Sequence, residues 1–345
     1  MRKGKENMIR TFTIAASVLI GQLVYAPMAG AEPFRLIVTH LETPLVPNSV
    51  LDLALQEGYF ERAGVDVELV RVQQTPSALA AIQAGEGEMA NVGTDALMQL
   101  VAQGMDLKAV SSPNKSLPFL IASRDSVASV SDLNGKTFGV GRVGSLDHNQ
   151  SMKVLERTGL DISSLEIVSV GQPNVRAQSL LVGAIDATTM SIGAFTSLPD
   201  KTGIHMLIDQ DAYYEAAPVV SKVNIVSADV LKNRLDEVSA VTRALVEISR
   251  DYAAEPSAWV AAMEKARPDI ERGDLEALAE AYAASWSVNG GLQRDELEYT
   301  SDWYYESPDF SAVPEILIDD WVDFSVMDSI LEEIGSVDSM DAVSR

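Results

Sequence analysis

Two hydrophobic patterns alternate along the chain from Phe34 onward: short runs typical of β-strands, and longer stretches with the period of amphipathic helices. The segment that begins at Thr75-Pro76 and ends at Gly85 has the start and stop residues of a helix. Alternation of strand and helix predicts mostly parallel sheets with helices on both faces. The predicted strands are residues 34–39, 65–72, 88–92, 137–141, 165–170 and 185–190, and the predicted helices include 49–57, 146–158 and 175–182.

The second series of elements repeats the first. In each series a helix is followed by a glycine, Gly85 or Gly183, then by a short turn and a strand, so that Ser191 takes the place of Gly93. This repetition predicts an α/β protein with two lobes of the same architecture. The predicted organisation is residues 32–115 as the first part of lobe one, 116–220 as lobe two, and 221–345 as the return to lobe one with C-terminal helices that brace it.

Residues 1–31 have the features of a signal peptide. Four basic residues precede an apolar run over residues 11–26, and Pro27 and the small residues Ala29, Gly30 and Ala31 follow. The run is shorter than the roughly 20 residues that a membrane-spanning helix needs, which favours a cleaved leader over an uncleaved anchor. We expect cleavage after Ala31 and a periplasmic protein.

Charge and composition narrow the function classes. Removal of residues 1–31, which hold four basic residues and one acid, leaves 22 basic and 49 acidic residues and a net charge of −27. Such a surface repels nucleic acid and anionic lipid. The absence of cysteine excludes disulfides, thiolate metal sites and a lipidated N-terminal cysteine, and three histidines leave little for a metal centre. We expect a freely diffusing monomer that inserts in no membrane and needs no cofactor.

Polar residues gather where predicted strands end and helices begin. In open α/β sheets ligands bind beyond the carboxyl ends of the strands, and helix N-termini offer unpaired N–H donors to anions. Arg142 is the cation that suits a bidentate contact with an anion. Thr75, Thr94, Ser145 and Asn174 are equally suited to be plain helix N-caps. The candidate ligand-binding residues are Thr43, Gln74, Thr94, Asp95, Asn114, Arg142, Gly144, Ser145, Asn174 and Ser191.

Two other chemistries have weaker support. Residues 139–144 fit the glycine fingerprint of dinucleotide sites, but the next strand ends in Val170-Gly171-Gln172, without the acid that holds a ribose. His40 and His148 could face each other across a cleft, with no evident third ligand for a metal. The sequence has no nucleophile elbow and no His-Glu-x-x-His motif, and it therefore predicts a binder rather than an enzyme.

Five short motifs follow one another in order: Gly58-Tyr59-Phe60, Gly64-Val65-Asp66-Val67-Glu68, Val92-Gly93-Thr94, Ser131-Asp132-Leu133-Asn134-Gly135-Lys136 and Gly144-Ser145. Together they resemble the binding proteins for taurine, alkanesulfonates and nitrate, which share a superfamily with bacterial thiamine-precursor binders. The resemblance implies the two-lobed type II periplasmic-binding-protein fold. It also implies that the lobes close on a small organic anion, a sulfonate or carboxylate, and that the partner is an ABC permease in the inner membrane.

Three alternatives stay open. A neutral heterocycle, such as a pyrimidine precursor of thiamine, would stack on aromatic side chains, with Phe119, Phe195, Tyr213 and Tyr214 as candidates. Enzymes exist in the superfamily, so a lyase-like activity on the same fold is the second alternative. A sensory ligand-binding protein is the third. Residues 191–194 depart from the family pattern, which often has an aromatic residue there, and this leaves the identity of the ligand open.

Overall fold

Two five-stranded sheets, each flanked by helices, form the two lobes of the protein. The computed structural model describes residues 32–114, 118–143, 146–171, 173–196, 198–339 and 341. The strands in this part of the chain are β1 (Phe34–Val38), β2 (Val67–Arg71), β3 (Met89–Gly93), β4 (Leu107–Asn114), β5 (Phe119–Arg124), β6 (Thr137–Val140), β7 (Glu166–Ser169), β8 (Ala187–Ser191), β9 (Ile204–Ile208) and β10 (Lys222–Ser227). The α-helices are α1 (Ser49–Gln56), α2 (Tyr59–Arg62), α3 (Thr75–Gln83), α4 (Thr94–Ala102), α5 (Leu146–Arg157), α6 (Pro173–Leu181), α7 (Ile192–Thr196), α8 (Gln210–Ala216), α9 (Ala228–Asn233), α10 (Leu235–Ala254), α11 (Pro256–Ala266), α12 (Arg272–Tyr282), α13 (Arg294–Tyr305), α14 (Ile318–Trp321) and α15 (Ser325–Ile334).

The two sheets have the same topology. The first has the strand order β2-β1-β3-β10-β4, and the second has β7-β6-β8-β5-β9. In the first sheet β10 is antiparallel to both of its neighbours, and in the second sheet β5 is antiparallel to both of its neighbours. The remaining four strands of each sheet share one direction. The predicted fold of two equivalent, mostly parallel lobes is therefore confirmed.

The reversed strand in each sheet is the one that the chain enters from the other lobe. A strand that arrives from the cleft begins at the edge where the other strands end, so it must run antiparallel to them. Accordingly, Lys222, the first residue of β10, pairs with Gly93, the last residue of β3. Phe119, the first residue of β5, pairs with Ser191, the last residue of β8. The two crossovers thus place equivalent residues at the edge where the lobes meet.

The apolar core is continuous across the two lobes. Residues Pro33–Arg345 form one unit, and one cluster of buried side chains joins the first sheet and the C-terminal helices to one face of the second sheet. A smaller cluster, which includes Phe138, Val154 and Tyr213, fills the other face of the second sheet. The indole N–H of the fully buried Trp259 donates to the Ser49 hydroxyl at 2.9 Å and joins α11 to α1.

The C-terminal helices contact the second lobe as well as the first lobe, which they are predicted to brace. Helices α10, α14 and α15 pack on β4 of the first sheet, whereas α12 packs on α7 of the second lobe. Gln210, in α8, donates to the carbonyl of Ala281 at 2.5 Å and adds a polar contact to the same surface. The sequence pattern missed this because amphipathicity shows that a helix buries a face, but not which surface covers it. None of the helices in the described ranges is long and apolar enough to cross a bilayer.

Candidate functional site

A cavity of about 370 Å³ lies where the crossover strands, the first lobe, the second lobe and the C-terminal segment meet. The two lobes contribute Gly93, Asp95 and Gln99 from the first lobe, Phe119 and Asn149 from the second lobe, and Ser221 and Lys222 from the returning chain. The C-terminal wall is Trp303, Tyr304, Ser307, Asp309 and Phe310. Its position at the carboxyl ends of parallel strands is where open α/β sheets bind ligands.

The junction of β3 and α4 forms the floor of this cavity. A Cβ atom on Gly93 would lie 2.6 Å from Oδ1 of Asp95, so only glycine leaves room for the Asp95 carboxylate to fold back over the strand end. The backbone N–H of Gly93 donates to the Thr75 hydroxyl at 3.1 Å. Thr75 was considered as an N-cap, but the N-cap of α3 is Gln74, and Thr75 instead joins α3 to the end of β3.

Thr94 ties this floor to the returning chain. Its hydroxyl donates to the Val220 carbonyl at 2.6 Å, and its backbone N–H donates to the Ser221 carbonyl at 3.0 Å. The Thr94 side chain is fully buried. Thr94 therefore holds the returning chain at Val220 and Ser221 next to the cavity.

Lys222 brings an ammonium group to the cavity. Its Nζ donates to the Thr39 hydroxyl at 2.7 Å, and in the described ranges no carboxylate lies within ion-pair distance of it. Burial lowers the pKa of Lys222, since the charged form loses contact with water. A buried ammonium with one hydrogen bond retains two N–H donors for a ligand.

Asp95 and Asp309 bring negative charge to the same cavity. Burial raises the pKa of Asp95, and the charge of Asp309 raises it further, while the backbone N–H groups of Ala96 and Asp95 oppose the shift. The hydroxyl of Tyr304 contacts the backbone of Asp95. No cation among the described residues contributes to the pKa of Asp95, so Lys222 and Asp95 do not neutralise each other.

Aromatic side chains form much of the remaining wall. The rings of Tyr304 and Phe310 are stacked with centroids 5.5 Å apart, and Phe119 meets Tyr213 edge to face at 6.1 Å. Trp303 is 5% exposed, and its indole N–H has no hydrogen-bond partner in the part of the chain that the structure describes. Apolar rings with a few polar groups among them are typical of small-molecule sites.

The outer side of the Trp303 wall is a contact between α5 of the second lobe and α13. Nζ of Lys153 lies 5.5 Å from the centroid of the Trp303 ring and contacts the Glu306 carboxylate. One turn further on, the guanidinium of Arg157 lies 4.8 Å from the centroid of the Tyr299 ring. The second lobe is therefore attached to the helix that carries part of the cavity wall.

The loop after β1 forms a different kind of site. Asp52 is buried, and its carboxylate contacts Nε2 of His40 at 2.6 Å, the guanidinium of Arg71, and the Thr43 hydroxyl at 3.3 Å. Burial raises the pKa of Asp52, but the hydrogen bonds and charges of His40 and Arg71 outweigh it, and the net pKa is lowered. The Thr43 carbonyl also accepts from Arg267 at 3.0 Å. Every member of this Asp52 cluster thus has a partner.

In the second lobe a buried arginine supports the loop after β6. Arg176 Nη1 lies 3.4 Å from the Asp147 carboxylate and donates to the Gly171 carbonyl at 2.7 Å. Burial lowers the pKa of Arg176, and the charge of Asp147 partly restores it. The same Asp147 accepts from the backbone N–H of Gly141 at 2.7 Å. Arg142, the predicted anion contact, is exposed on this loop.

The ten predicted ligand residues are distributed over several surroundings. Asp95 lines the cavity, Thr43 belongs to the Asp52 cluster, Gln74 is exposed at the start of α3, and the Ser191 hydroxyl accepts from the Ala194 N–H at 3.1 Å. Gly144, Ser145 and the side chains of Asn114 and Asn174 lie outside the described part of the chain. Of the aromatic candidates, Phe119 lines the cavity, whereas Phe195, Tyr213 and Tyr214 are buried in the cores.

Several cavity residues escaped the sequence reasoning. Lys222 follows the crossover that Pro218 marks, and a cation at the start of an otherwise apolar strand was an available signal. Trp303, Tyr304 and Asp309 carried no such signal, because they lie on a C-terminal helix and turn that the pattern assigned only to bracing. Asn149 lies on α5 with the period of an ordinary surface position.

The chemistry of catalysis and of metal binding finds little support in the described ranges. The Ser123 hydroxyl lies 3.4 Å from Nε2 of His205, and Nδ1 of His205 lies 3.3 Å from Asp125. Ser123 is fully buried and donates to the Val127 carbonyl, so its hydroxyl is out of reach of a substrate. No group of three or more histidine, aspartate or glutamate side chains in these ranges is arranged to hold a metal ion.

The glycines of the dinucleotide-like segment include one with a packing role. A Cβ atom on Gly139 would lie 2.5 Å from Cδ1 of Ile185, and the Gly139 carbonyl accepts from the Thr188 hydroxyl at 2.7 Å. A side chain here would push β6 away from the residue that precedes β8. Close packing inside the second lobe therefore accounts for this glycine.

Comparison with known proteins gives a consistent fold and family. The chain is 26% identical over 271 residues to a Haemophilus influenzae protein named for thiamine biosynthesis, which covers 74% of this chain and 79% of the relative. The structure of the aliphatic sulphonate binding protein SsuA from Escherichia coli superposes with a TM-score of 0.65 at 14% identity over 85% of this chain and 92% of that protein.

An enzyme has a similar fold. The desulfurization enzyme DSZB superposes with a TM-score of 0.59 at 15% identity over 87% of this chain and 99% of the enzyme. The fold is therefore shared by binding proteins and at least one enzyme. The model of the family described as NMT1/THI5 like matches residues 50–258, which is more than half of the chain. The resemblance found in the sequence motifs is thus confirmed, and the chain belongs to the NMT1/THI5-like family.

Proposed function

We propose that the protein is the periplasmic solute-binding component of an ABC importer and that a small organic anion, a sulfonate or a carboxylate, binds in the cavity beside Lys222. The ammonium group of Lys222 is the observation that carries the proposal. It is half-buried, it has the Thr39 hydroxyl as its partner, and no carboxylate among the described residues compensates its charge. Burial of an uncompensated charge is costly, and an anionic ligand would offset that cost.

The position of the cavity supports a capture role. Its walls come from both lobes and from the returning crossover, so a solute there bridges parts that a hinge motion would separate. Such a ligand stabilises the closed arrangement, which an inner-membrane permease can then recognise. Two structural neighbours support this role: one is a periplasmic sulphonate binding protein, and the other is the ligand-binding component of an ABC-type import system. The predicted leader with cleavage after Ala31 would deliver the protein to the periplasm.

A neutral heterocycle is the second candidate ligand. The rings of Phe119, Trp303, Tyr304 and Phe310 in the cavity wall favour it, since a flat ring buries well against aromatic faces. The family description and the relative named for thiamine biosynthesis favour a pyrimidine in particular. An enzyme on this fold is a third possibility, which the similarity to DSZB keeps open and which predicts turnover of the bound solute.

A thermal-shift screen of the mature chain tests the proposal. A solute that binds the native state raises the melting temperature, so the screen uses sulfonates, carboxylates, nitrate and pyrimidines. We expect anions to give the largest shifts and Lys222→Met to abolish them, while Lys232→Met, at an exposed lysine, leaves them unchanged. Pyrimidine hits that survive Lys222→Met would favour the heterocycle. Shifts that disappear in Arg142→Ala instead would locate the anion on the second lobe.

A further inference from the structure

We infer that the solute is dipolar: it carries a cationic or N–H-donating group that binds at Asp95 and Asp309, in addition to the anionic group at Lys222. This inference rests on the proposed function and narrows its ligand class. A sulfonate or carboxylate without a second polar end would use only part of the cavity. The cavity is lined by two charged poles that form no ion pair with each other, Lys222 and the pair Asp95 and Asp309, and these poles are the basis of the inference.

The two poles are independent. The Lys222 ammonium donates to the Thr39 hydroxyl, and the backbone N–H groups of Ala96 and Asp95 favour the ionised form of the Asp95 carboxyl group by lowering its pKa. Within the described ranges, neither group has an ion-pair partner. If the poles were a structural salt bridge, each charge would be compensated by the other, as happens to Asp52 in the loop after β1. Both poles therefore remain available to a ligand.

The charge balance of the cavity disfavours a plain anion. One ammonium and two carboxylates leave an excess of negative charge, so an anion without a donor group is attracted by Lys222 and repelled by Asp95 and Asp309. An amine without an acid group meets the reverse conflict at Lys222. A dipolar molecule satisfies both poles, and its charges are desolvated only against opposite charges.

Aromatic side chains line much of the cavity. Trp303 is 5% exposed, and its ring rather than its buried indole N–H is what the cavity can meet. The aromatic faces of Trp303, Tyr304 and Phe310 suit the apolar body that separates the two ends of a dipolar molecule.

Isothermal titration with matched probe series tests the inference. One series is 4-(aminomethyl)benzoate, 4-methylbenzoate and 4-methylbenzylamine, and the other is 5-aminopentanoate, pentanoate and pentylamine. We expect the dipolar member of at least one series to bind at least tenfold more tightly than its matched acid and its matched amine. Asp95→Asn should weaken the dipolar probe about tenfold and leave the matched acid within twofold. Asp106→Asn, at an exposed acid, is the control and should change neither.

The outcomes separate this inference from the proposed function. The dipolar ligand is refuted if the matched acid binds as tightly as the dipolar probe and if neither Asp95→Asn nor Asp309→Asn changes the two affinities. The proposal of an anion-binding protein is unaffected by that result. If the matched amine binds as tightly as the dipolar probe in wild type and in Lys222→Met, the anion site at Lys222 is refuted. Absence of binding by every member of both series overturns both. Circular dichroism of each variant establishes that it is folded.

Discussion

The first lobe holds two groups of charged side chains near the ends of its strands, and they differ in how their charges are compensated. In the Asp52 cluster the carboxylate contacts His40, Arg71 and Thr43. In the cavity, Lys222 donates to a hydroxyl group. Within the described ranges, no group of opposite charge pairs with Lys222 or with Asp95. The pKa shifts follow this difference. The pKa of Asp52 is lowered, which favours its charged form. The pKa of Asp95 is raised and the pKa of Lys222 is lowered, and both of these shifts disfavour the charged form.

This difference distinguishes a structural site, the Asp52 cluster, from the proposed ligand site, the cavity at Lys222 and Asp95. A buried charge with partners contributes to folding, and its environment favours the ionised form. A buried charge without an opposite partner costs folding free energy, and the cost is tolerated where a ligand needs the charge. Both groups lie where sequence reasoning expected ligands, and only the count of partners distinguishes them. The following predictions alter one member of each group in turn.

Loss of Asp52 should have the largest effect on stability. Asp52→Ala leaves the half-buried His40 and the exposed Arg71 without their buried carboxylate, and we expect the free energy of unfolding to fall by about 2 kcal/mol. Because the folded-state pKa of Asp52 is lowered, its contribution is present above the unfolded pKa and is lost as the pH falls through the folded pKa. Urea titrations from pH 7 to pH 3 should therefore show the gap between wild type and variant closing. An equal gap at both ends would contradict the paired carboxylate.

Replacement of Lys222 should separate stability from binding. Lys222→Met removes a desolvated charge, and we expect the free energy of unfolding to rise by about 1 kcal/mol while ligand affinity falls at least tenfold. The folded-state pKa of Lys222 is lowered, so the stability gain over wild type should shrink as the pH rises toward and past that pKa. Lys232→Met serves as the matched control. A variant that loses stability together with affinity would make Lys222 a structural residue.

Asp95→Asn should show the same pattern with a smaller gain. The raised pKa of Asp95 means that the carboxyl group contributes stability below its unfolded pKa and loses it as the pH rises through the folded pKa. We expect the variant to exceed wild type by about 0.5 to 1 kcal/mol at pH 7 and to match it below about pH 4. Thermal denaturation over that range provides the measurement. If wild type and Asp95→Asn have equal melting temperatures at pH 7, a dissolved cation compensates the charge of the Asp95 carboxylate.

The contact between α5 and α13 should have the smallest effect. Lys153→Met removes an exposed ion pair with Glu306 and a cation over the Trp303 ring, and such contacts contribute about 0.5 kcal/mol each. We expect dissociation of a bound ligand to become about twofold faster, with the difference disappearing at 1 M salt. Stopped-flow tryptophan fluorescence measures this rate. A salt-independent change would point to packing instead of charge.

How much of the fold follows from the sequence can be judged from single elements. The alternation of strands and helices and the repeat around Gly85 and Gly183 predicted two equivalent lobes, because side-chain periodicity and turn glycines are local properties. The contact of the C-terminal helices with the second lobe was not predicted. Helix α12 packs on α7 of the second lobe, and no local property of either helix encodes that pairing.

The candidate site shows the same limit. Asp95 was predicted because it follows a strand at the edge where ligands bind, and Phe119 was predicted as an aromatic ring on which a neutral heterocycle would stack. Thr43 was also predicted to contact ligand, but its hydroxyl binds Asp52 in the structure, since the loop folds back onto α1. Residues 303–310 were missed because they approach the cavity from a distant part of the chain.

The sequence alone determined the fold class, the family motifs, the expected leader and the absence of thiol chemistry, all of which depend on composition and local pattern. The tertiary structure decided which charges are compensated. Asp52 and Asp95 are both carboxylates close to strand ends, and nothing in their neighbouring residues tells them apart. Their pKa values move in opposite directions because His40 and Arg71 fold onto one of them and no cation in the described chain folds onto the other. Burial and pairing depend on residues far apart in sequence, so the proposed ligand site follows from the folded structure and not from the local pattern.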